Sequence, residues 1–336
     1  MRAIVQRQYG PPEVLAVREL PTPSPGPGQL LVAVHATPVT QGDRRLRAAD
    51  FPGIGMVIGR LMFGITGPRS PIPGTVFAGR VVETGAGVTG FAVGDDVYGI
   101  GDNSAAAERL VVDAAGAVAH IPSGVSYVDA AAVPYGALTA HIFLRDKAPV
   151  SAGQRVLVVG ASGGVGRFVV QLAKHAGAHV TAVAGSSRGE LLAELGADVV
   201  VDYRSVDVTQ GDDKFDLIFD TSGALGFRGT RRILTATGRF VSLYMTAVTL
   251  AWMALTALTG GRRALTGVSI PTPTDLAEVT ALLASGAIDP VIAETFPLDR
   301  AVAAHALAEP GRSAGAIVIT PVTGVRGAAP GVAASA

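Results

Sequence analysis

Two patterns of apolar and polar positions divide this chain. Up to about residue 120, short runs rich in Val, Ala and aromatics at 30–36, 75–83, 95–100 and 108–112 are bounded by Gly, Pro and Asp, which predicts β-strands closed by turns. The proline-rich connector PTPSPGPG at 21–28 is expected to be extended, because its prolines forbid helix. From about Val125 the pattern changes to helices alternating with apolar strands, expected at 155–159, 179–184, 199–202, 215–220, 239–243 and 266–270. Val165, Val169, Leu172, Ala173 and Ala176 recur at helical spacing, so a helix with one buried stripe follows the first of these strands. Strands buried on both faces and separated by helices imply an α/β unit with a doubly wound parallel sheet. After Ala287 short strands return and end at 315–320, which predicts a β-rich unit that is discontinuous in sequence. The expected division is a β-domain over 1–124, the doubly wound unit over 125–286 and a return to the β-domain over 287–322. The patternless Gly, Ala and Pro tail at 323–336 is expected to be disordered. There are no internal repeats.

One stretch complicates this picture. Residues 240–261 are uncharged and, at 22 residues, long enough to span a bilayer. The turn at 236–238 and the strand after it leave only 245–258 as helix, which is too short. That helix is expected to be buried or to cover a site, with peripheral membrane contact as the alternative. The N-terminal MRAIVQRQYG alternates apolar and polar residues and lacks the apolar core of a signal peptide, so a cytoplasmic location is expected.

Composition narrows the chemistry. Of 336 residues 49% are apolar and 16% charged, the profile of a packed globular protein of about two domains. Lys and Arg (27) balance Asp and Glu (27), and without a basic excess no nucleic-acid partner is expected. The absence of cysteine excludes disulfides, thiolate nucleophiles and thiolate metal sites. The six histidines show no short pairing on one helix face, so no metal site is expected.

The strongest chemical signal is RVLVVGASGGVGRFVVQLAKHAGAHVTAVAGSSRG at 155–189, where strand, glycine turn, helix and second strand follow in the order a dinucleotide fold needs. Gly160, Gly163, Gly164 and Gly166, with Ser162 among them, would let a pyrophosphate approach the main chain, and Gly166 would let the helix pack close to the sheet. A helix beginning near Gly164 would aim free N–H groups at the phosphates. Where the second strand ends, an acid would bind the ribose hydroxyls of NAD. Here the chain reads Gly185-Ser186-Ser187-Arg188 with no carboxylate before Glu190, so NADPH is the expected cofactor. Arg188 can pair with the extra phosphate bidentately and the serines can donate to it. Alternatively Ser187 caps a helix starting at Arg188, and both can hold.

At these residues the sequence resembles the medium-chain dehydrogenase/reductase superfamily, in its zinc-independent, quinone oxidoreductase-like branch. The resemblance runs to about Pro321 and rests on IPGTVFAG at 72–79, FAVGDDVY at 91–98, AAAVPYGALTA at 130–140, and LGAD at 195–198 with Asp202-Tyr203. It implies a GroES-like β-domain plus a Rossmann domain, with NADPH in the cleft between them. It places Gly163, Gly164, Val165 and Gly166 at the pyrophosphate, Arg188 and Tyr203 at the 2′-phosphate, Thr139 near the nicotinamide, and Ser242, Leu243 and Tyr244 where the chain passes that ring. Zinc-dependent relatives carry a cysteine near 38–43, where this chain has none. Relatives often read SVNPxD there, so Thr40 replaces an asparagine that commonly lines the pocket. A homodimer is expected by family analogy.

Oxidising a simple alcohol calls for a Lewis acid or a perturbed Tyr/Lys pair, and neither is evident. A quinone, enone or enal is already electrophilic, and hydrogen bonds can stabilise the charge that develops on its oxygen. The expected reaction is therefore hydride transfer from NADPH to a small hydrophobic electrophile, with Thr40, Tyr135 and Tyr244 as candidate polar groups. Alcohol dehydrogenation and a non-catalytic NADPH-binding or membrane-surface role are the alternatives. Asp43 reads better as a helix N-cap than as a proton donor, and His141 as a satisfied helix histidine. The apolar stretches 54–65 and 245–258 would form an acceptor pocket or lid if both border the cleft, and otherwise core or subunit packing.

Overall fold

The computed structural model describes residues 1–50, 55–309 and 313–322; the tail expected to be disordered lies outside them. The apolar strands of the middle region assemble as their periodicity requires. Edge to edge, Val199–Asp202, His179–Ala184, Arg155–Val159, Phe215–Asp220, Leu234–Ser242 and Arg263–Leu265 form a six-stranded sheet. Every pairing in it is parallel. Helices cover both faces, so the strands carry almost no polar side chain inward. Two expectations need correction. Residues 266–270 are not a strand: the edge strand is Arg263–Leu265, the Thr266 hydroxyl turns back to donate to the Ser242 carbonyl, and Val268 and Ile270 face solvent. The strand expected at 239–243 begins earlier, at Leu234, and takes up the turn at 236–238 as an irregularity, its register shifting between Phe215 and Leu217.

The β-rich unit is a seven-stranded sheet ordered Ile292–Pro297, Ala316–Thr320, Gln29–Pro38, Val76–Thr84, Asp96–Ile100 and Val118–His120, with Arg109–Asp113 also paired to Gln29–Pro38. The last strand of the chain thus closes against one of the first, Val318 opposite Pro38. Arg2–Gln6 pairs with Leu15–Glu19 in a separate ribbon.

A single apolar cluster joins the two sheets. Ala78 and Tyr98 from the β-rich unit pack with Leu138, Phe143, Val158 and Phe219, all essentially inaccessible to solvent. Each large side chain buried this way contributes about 1.5–3 kcal/mol. The Tyr98 hydroxyl finds a partner in Thr280 Oγ1 at 2.8 Å. The joint therefore fixes the relative placement of the two units, and the cleft opens along it.

The helix expected at 245–258 spans Ala247–Thr259, and no helix among the described residues is long and apolar enough to cross a membrane. It packs on the outer edge of the parallel sheet, where Trp252 lies 5.4 Å from the Phe227 ring and the Thr256 hydroxyl accepts the Ala264 amide. Val248, Leu255 and Leu258 are left in solvent.

Candidate functional site

A cleft of about 1160 Å³ lies between the two sheets, and its floor is the glycine turn after Arg155–Val159. Gly160 has φ +74°, where a Cβ would stand 2.7 Å from Thr221 Oγ1. At Gly166 a Cβ would stand 2.3 Å from the Gly160 carbonyl, so only glycine lets this helix approach the strand end. The helix begins at Gly166, two residues later than expected, with Val165 as a cap that offers no side-chain hydrogen bond. The Arg167 and Phe168 amides already donate to the Gly163 and Val165 carbonyls, which leaves the Val165 and Gly166 amides at the helix start for an anion. Gly164 has open space around it, so the main chain there is approachable.

A second helix, Pro134–Ile142, is pressed onto this turn. A Cβ on Gly136 would meet the Gly164 carbonyl at 2.2 Å and the Phe168 ring at 2.6 Å. That contact sets Tyr135 and Thr139 in the cleft wall, with the Thr139 hydroxyl donating to the Tyr135 carbonyl at 2.8 Å. Burial pushes the Tyr135 phenol above its ordinary range, and the nearby Asp43 carboxylate adds to it.

One end of the cleft is cationic. Ser187, Arg188, Tyr203 and Arg204 line it, the Arg204 guanidinium stacking 4.9 Å from the Tyr203 ring centroid. Arg188 makes no ion pair among the described residues. Ser187 does not cap a helix: Ser186–Arg188 is a 3₁₀ turn, and the following helix Gly189–Glu194 has Arg188 as a cap without a side-chain bond. Both serine side chains are thus left to solvent, and Ser186 lies outside the cleft lining. Asp207, the acid on this side, already accepts from Thr209 N and Oγ1, which hold its carboxyl below the usual range.

The other end holds Thr40, Arg45, Leu243 and Tyr244. The helix Gln41–Ala48 is capped by Thr40 and not, as expected, by Asp43. Thr40 Oγ1 accepts the Asp43 amide and donates to Asp43 Oδ2 at 2.6 Å, while the Thr40 amide donates to the same oxygen, a reciprocal capping box. The hydroxyl offered as a pocket group is therefore already engaged in the cap. Burial pushes the Asp43 carboxyl up despite these bonds, and its Oδ1 has no partner. Ser242 is buried behind the wall, its Oγ accepting the Tyr244 amide, so it shapes the turn without facing the cleft. Gly223, at φ +75°, leaves room for the Tyr244 ring, 3.0 Å from where its Cβ would be.

Gly166, Ser186 and Ser242 are the expected site residues outside the cleft lining; the others line one continuous wall. Several lining residues escaped sequence reasoning. Arg204 directly follows Asp202-Tyr203 and was legible as a second cation. The loop 221–225 was not: it is held by Asp220, fully buried, whose carboxylate accepts the amides of Ser222, Gly223 and Leu225. A buried acid ending a strand was its only signal. None of the described residues at 59–65 or 245–258 lines the cleft, so the second stretch does not meet the condition for the lid alternative. The helix Ala247–Thr259 is neither buried nor over the cleft, Thr256 being its one buried residue, which corrects the expectation that it is buried or covers a site; Ile54 and the side chains of 55–58 lie outside the described residues.

Two family models match the chain, one described as alcohol dehydrogenase GroES-like domain over residues 26–139 and one as zinc-binding dehydrogenase over 195–319. A zinc donor set does not fit the residues present: there is no cysteine, and among the described residues no three His, Asp or Glu side chains converge. A chloroplastic quinone oxidoreductase from Triphysaria versicolor is 30% identical over 96% of this chain and 98% of its own length. A 2-methylene-furan-3-one reductase from Solanum lycopersicum is 29% identical over 96% of this chain and 79% of its own. The Escherichia coli quinone oxidoreductase solved with NADPH superposes with a TM-score of 0.81 at 25% identity, covering 96% of this chain and all (100%) of that one. With a GroES-like sheet and a Rossmann sheet enclosing a glycine-floored cleft, the chain belongs to the medium-chain dehydrogenase/reductase superfamily, among its quinone oxidoreductase-like members.

Proposed function

We propose that this protein is an NADPH-dependent reductase of electron-poor acceptors, quinones or α,β-unsaturated carbonyl compounds, acting without a metal in the hydride step. The observation that carries the reading is the polarity of the cleft. A glycine floor is flanked on one side by Arg188, Tyr203 and Arg204 and on the other by Tyr135 and Tyr244. The residues fit the cofactor. Gly163 and Gly164 with the Val165 and Gly166 amides at the helix start would hold the pyrophosphate, and the two arginines with Ser187 would hold the 2′-phosphate. An acid occupies this place in NAD-binding relatives of the fold, and the carboxylate of Asp207 is tied to Thr209. Thr139 and Leu243 would border the nicotinamide.

When bound, NADPH supplies a hydride from its nicotinamide ring. The chain then has three tasks: to orient the acceptor, to exclude water, and to stabilise charge on the carbonyl oxygen. Tyr135 Oη, kept protonated by burial, would donate to that oxygen as the hydride reaches the electron-poor carbon. The balancing proton is delivered to the reduced acceptor from this hydroxyl or from water. The names of the relatives support this range of acceptors, one being a quinone oxidoreductase and another a reductase of a conjugated furanone.

The test follows NADPH absorbance with quinones, enals, enones and saturated aldehydes, alongside a direct measurement of NADPH binding. Oxidation by conjugated acceptors and not by saturated aldehydes is expected. Measurable NADPH binding with no turnover of any acceptor overturns the reading in favour of a non-catalytic nucleotide-binding role.

A further inference from the structure

We infer that the acceptor carries a carboxylate, and that Arg45 receives it. The inference rests on the reading of the cleft given above. It starts from the helix Gln41–Ala48, which carries arginines at positions 44, 45 and 47. Two of them are committed to protein carboxylates: Arg47 to Glu309 at 2.6 Å, and Arg44 to Asp50 at 2.9 Å with Glu309 a further 3.9 Å away. Arg45 has no ion pair among the described residues. It lines the cleft, half-buried, with its guanidinium carbon 4.8 Å from the Tyr244 ring centroid and its charge acting on the Tyr135 phenol against the effect of burial.

No acid among the described residues pairs with Arg45. Asp43 lies two residues away, but its Oδ2 is consumed by Thr40 and its Oδ1 is buried without a partner, so it makes no bond to Arg45. Asp50 and Glu309 serve the neighbouring arginines. A second guanidinium borders the same cleft from the helix Gly166–His175. Arg167, 4% exposed, donates through Nη1 to the Val291 carbonyl, which also accepts the Ala316 amide, and its Nε has no partner. Among the described residues Arg45 is thus a cation without an ion pair at the acceptor end, which is walled by Tyr135, Tyr244, Leu243 and Val268.

A quinone or simple enone has no use for a half-sequestered guanidinium. A carboxylate remote from the conjugated carbonyl does: it would accept two parallel N–H bonds from the planar fork while the Tyr244 ring keeps the guanidinium in place. The substrate class is accordingly an α,β-unsaturated ketone or aldehyde with a carboxylate at its far end. The protein chemistry of hydride transfer is unchanged; Arg45 decides which molecule is presented to it.

The test compares one enone that ends in a carboxylate with its methyl ester, so that the reacting carbons are alike. Wild-type kcat/KM is expected to favour the acid at least tenfold. In Arg45→Met that ratio should fall by a factor of roughly 10–100, the range set by one charge-assisted hydrogen-bonded contact, chiefly through KM. Arg45→Lys should restore part of it, and NADPH binding by each variant checks that the fold is kept. Equal turnover of acid and ester by the wild type overturns the inference and leaves the reductase reading intact. So does a loss in Arg45→Met that is the same for both substrates, since Arg45 would then act on the shared carbonyl or only support Tyr244. If neither compound is reduced although NADPH binds, the reductase reading falls and this inference with it.

Discussion

Two side chains at opposite ends of the cleft carry separable parts of the proposed chemistry. In the proposed binding mode Arg188 meets the 2′-phosphate; it makes no ion pair among the described residues, so its charge is left for an anionic ligand. Arg188→Asp should weaken NADPH binding by roughly 10–100-fold, the equivalent of one charge-assisted contact plus repulsion of a dianion, and leave NADH within about threefold. Calorimetric titration with both nucleotides checks this; equal losses would refute the phosphate assignment. Tyr135 is different in kind, because its value lies in a proton that burial and the neighbouring Asp43 hold in place. With its pKa raised above 10, the phenol stays protonated throughout neutral and mildly alkaline solution. The kcat profile should therefore show no alkaline fall below about pH 10. Tyr135→Phe should lower kcat by roughly 10²-fold with little change in NADPH affinity, and a variant with unaltered kcat would remove Tyr135 from the reaction.

At the scale of elements, the helix Pro134–Ile142 and the glycine turn are fitted to each other through backbone. Gly136→Ala would drive a methyl group to 2.2 Å from the Gly164 carbonyl, a contact with main chain that no rotamer change relieves. The expected result is a loss of about 1–3 kcal/mol in unfolding free energy, with weakened NADPH binding because the turn must move. Thermal melts with and without nucleotide read both effects. This contact marks the limit of what the sequence discloses. The glycine turn, the parallel strands and the amphipathic helix were legible because each is a local pattern with its own period. Gly136 sits in an apolar helix where nothing local distinguishes a packing glycine. The same limit explains Thr40 and Asp43, whose spacing fits a capping box while nothing local says which of the two begins the helix. Val268 and Ile270 show the opposite error: an apolar run resembles a buried strand until Thr266 turns away to the Ser242 carbonyl. The cleft's cations were half legible. Arg188 follows a strand end that has a known role, whereas Arg45 stands out only once its neighbours' carboxylates are seen to be taken.

At the scale of the whole molecule, the first and last parts of the chain are held together beneath the acceptor end by a small buried polar cluster. Arg47, 1% exposed, reaches Glu309, and Gln41 Nε2 donates to the Ala308 carbonyl; the helix Ala301–Leu307 carries His305 into the same region, with its Nδ1 unpartnered. Burial, with the Arg47 charge added, holds the His305 imidazole neutral down to a pKa of about 3, against an ordinary 6.5. The folded state therefore refuses a proton that the unfolded chain accepts below pH 6.5. This depressed base contributes its full stability above pH 6.5 and loses it progressively as pH falls from there toward 3. The slope is about 1.4 kcal/mol per pH unit through the middle of that window. His305→Leu removes the linkage while keeping the apolar volume. Urea midpoints for wild type and variant at pH 7, 5.5 and 4.5 should show the variant gaining on the wild type with each step of acidification. The opening at low pH should be registered first in the KM of the acceptor, because the joint that His305 occupies also seats the helix bearing Arg45 and the cap at Thr40. Parallel pH dependences for the two proteins would refute the linkage to His305.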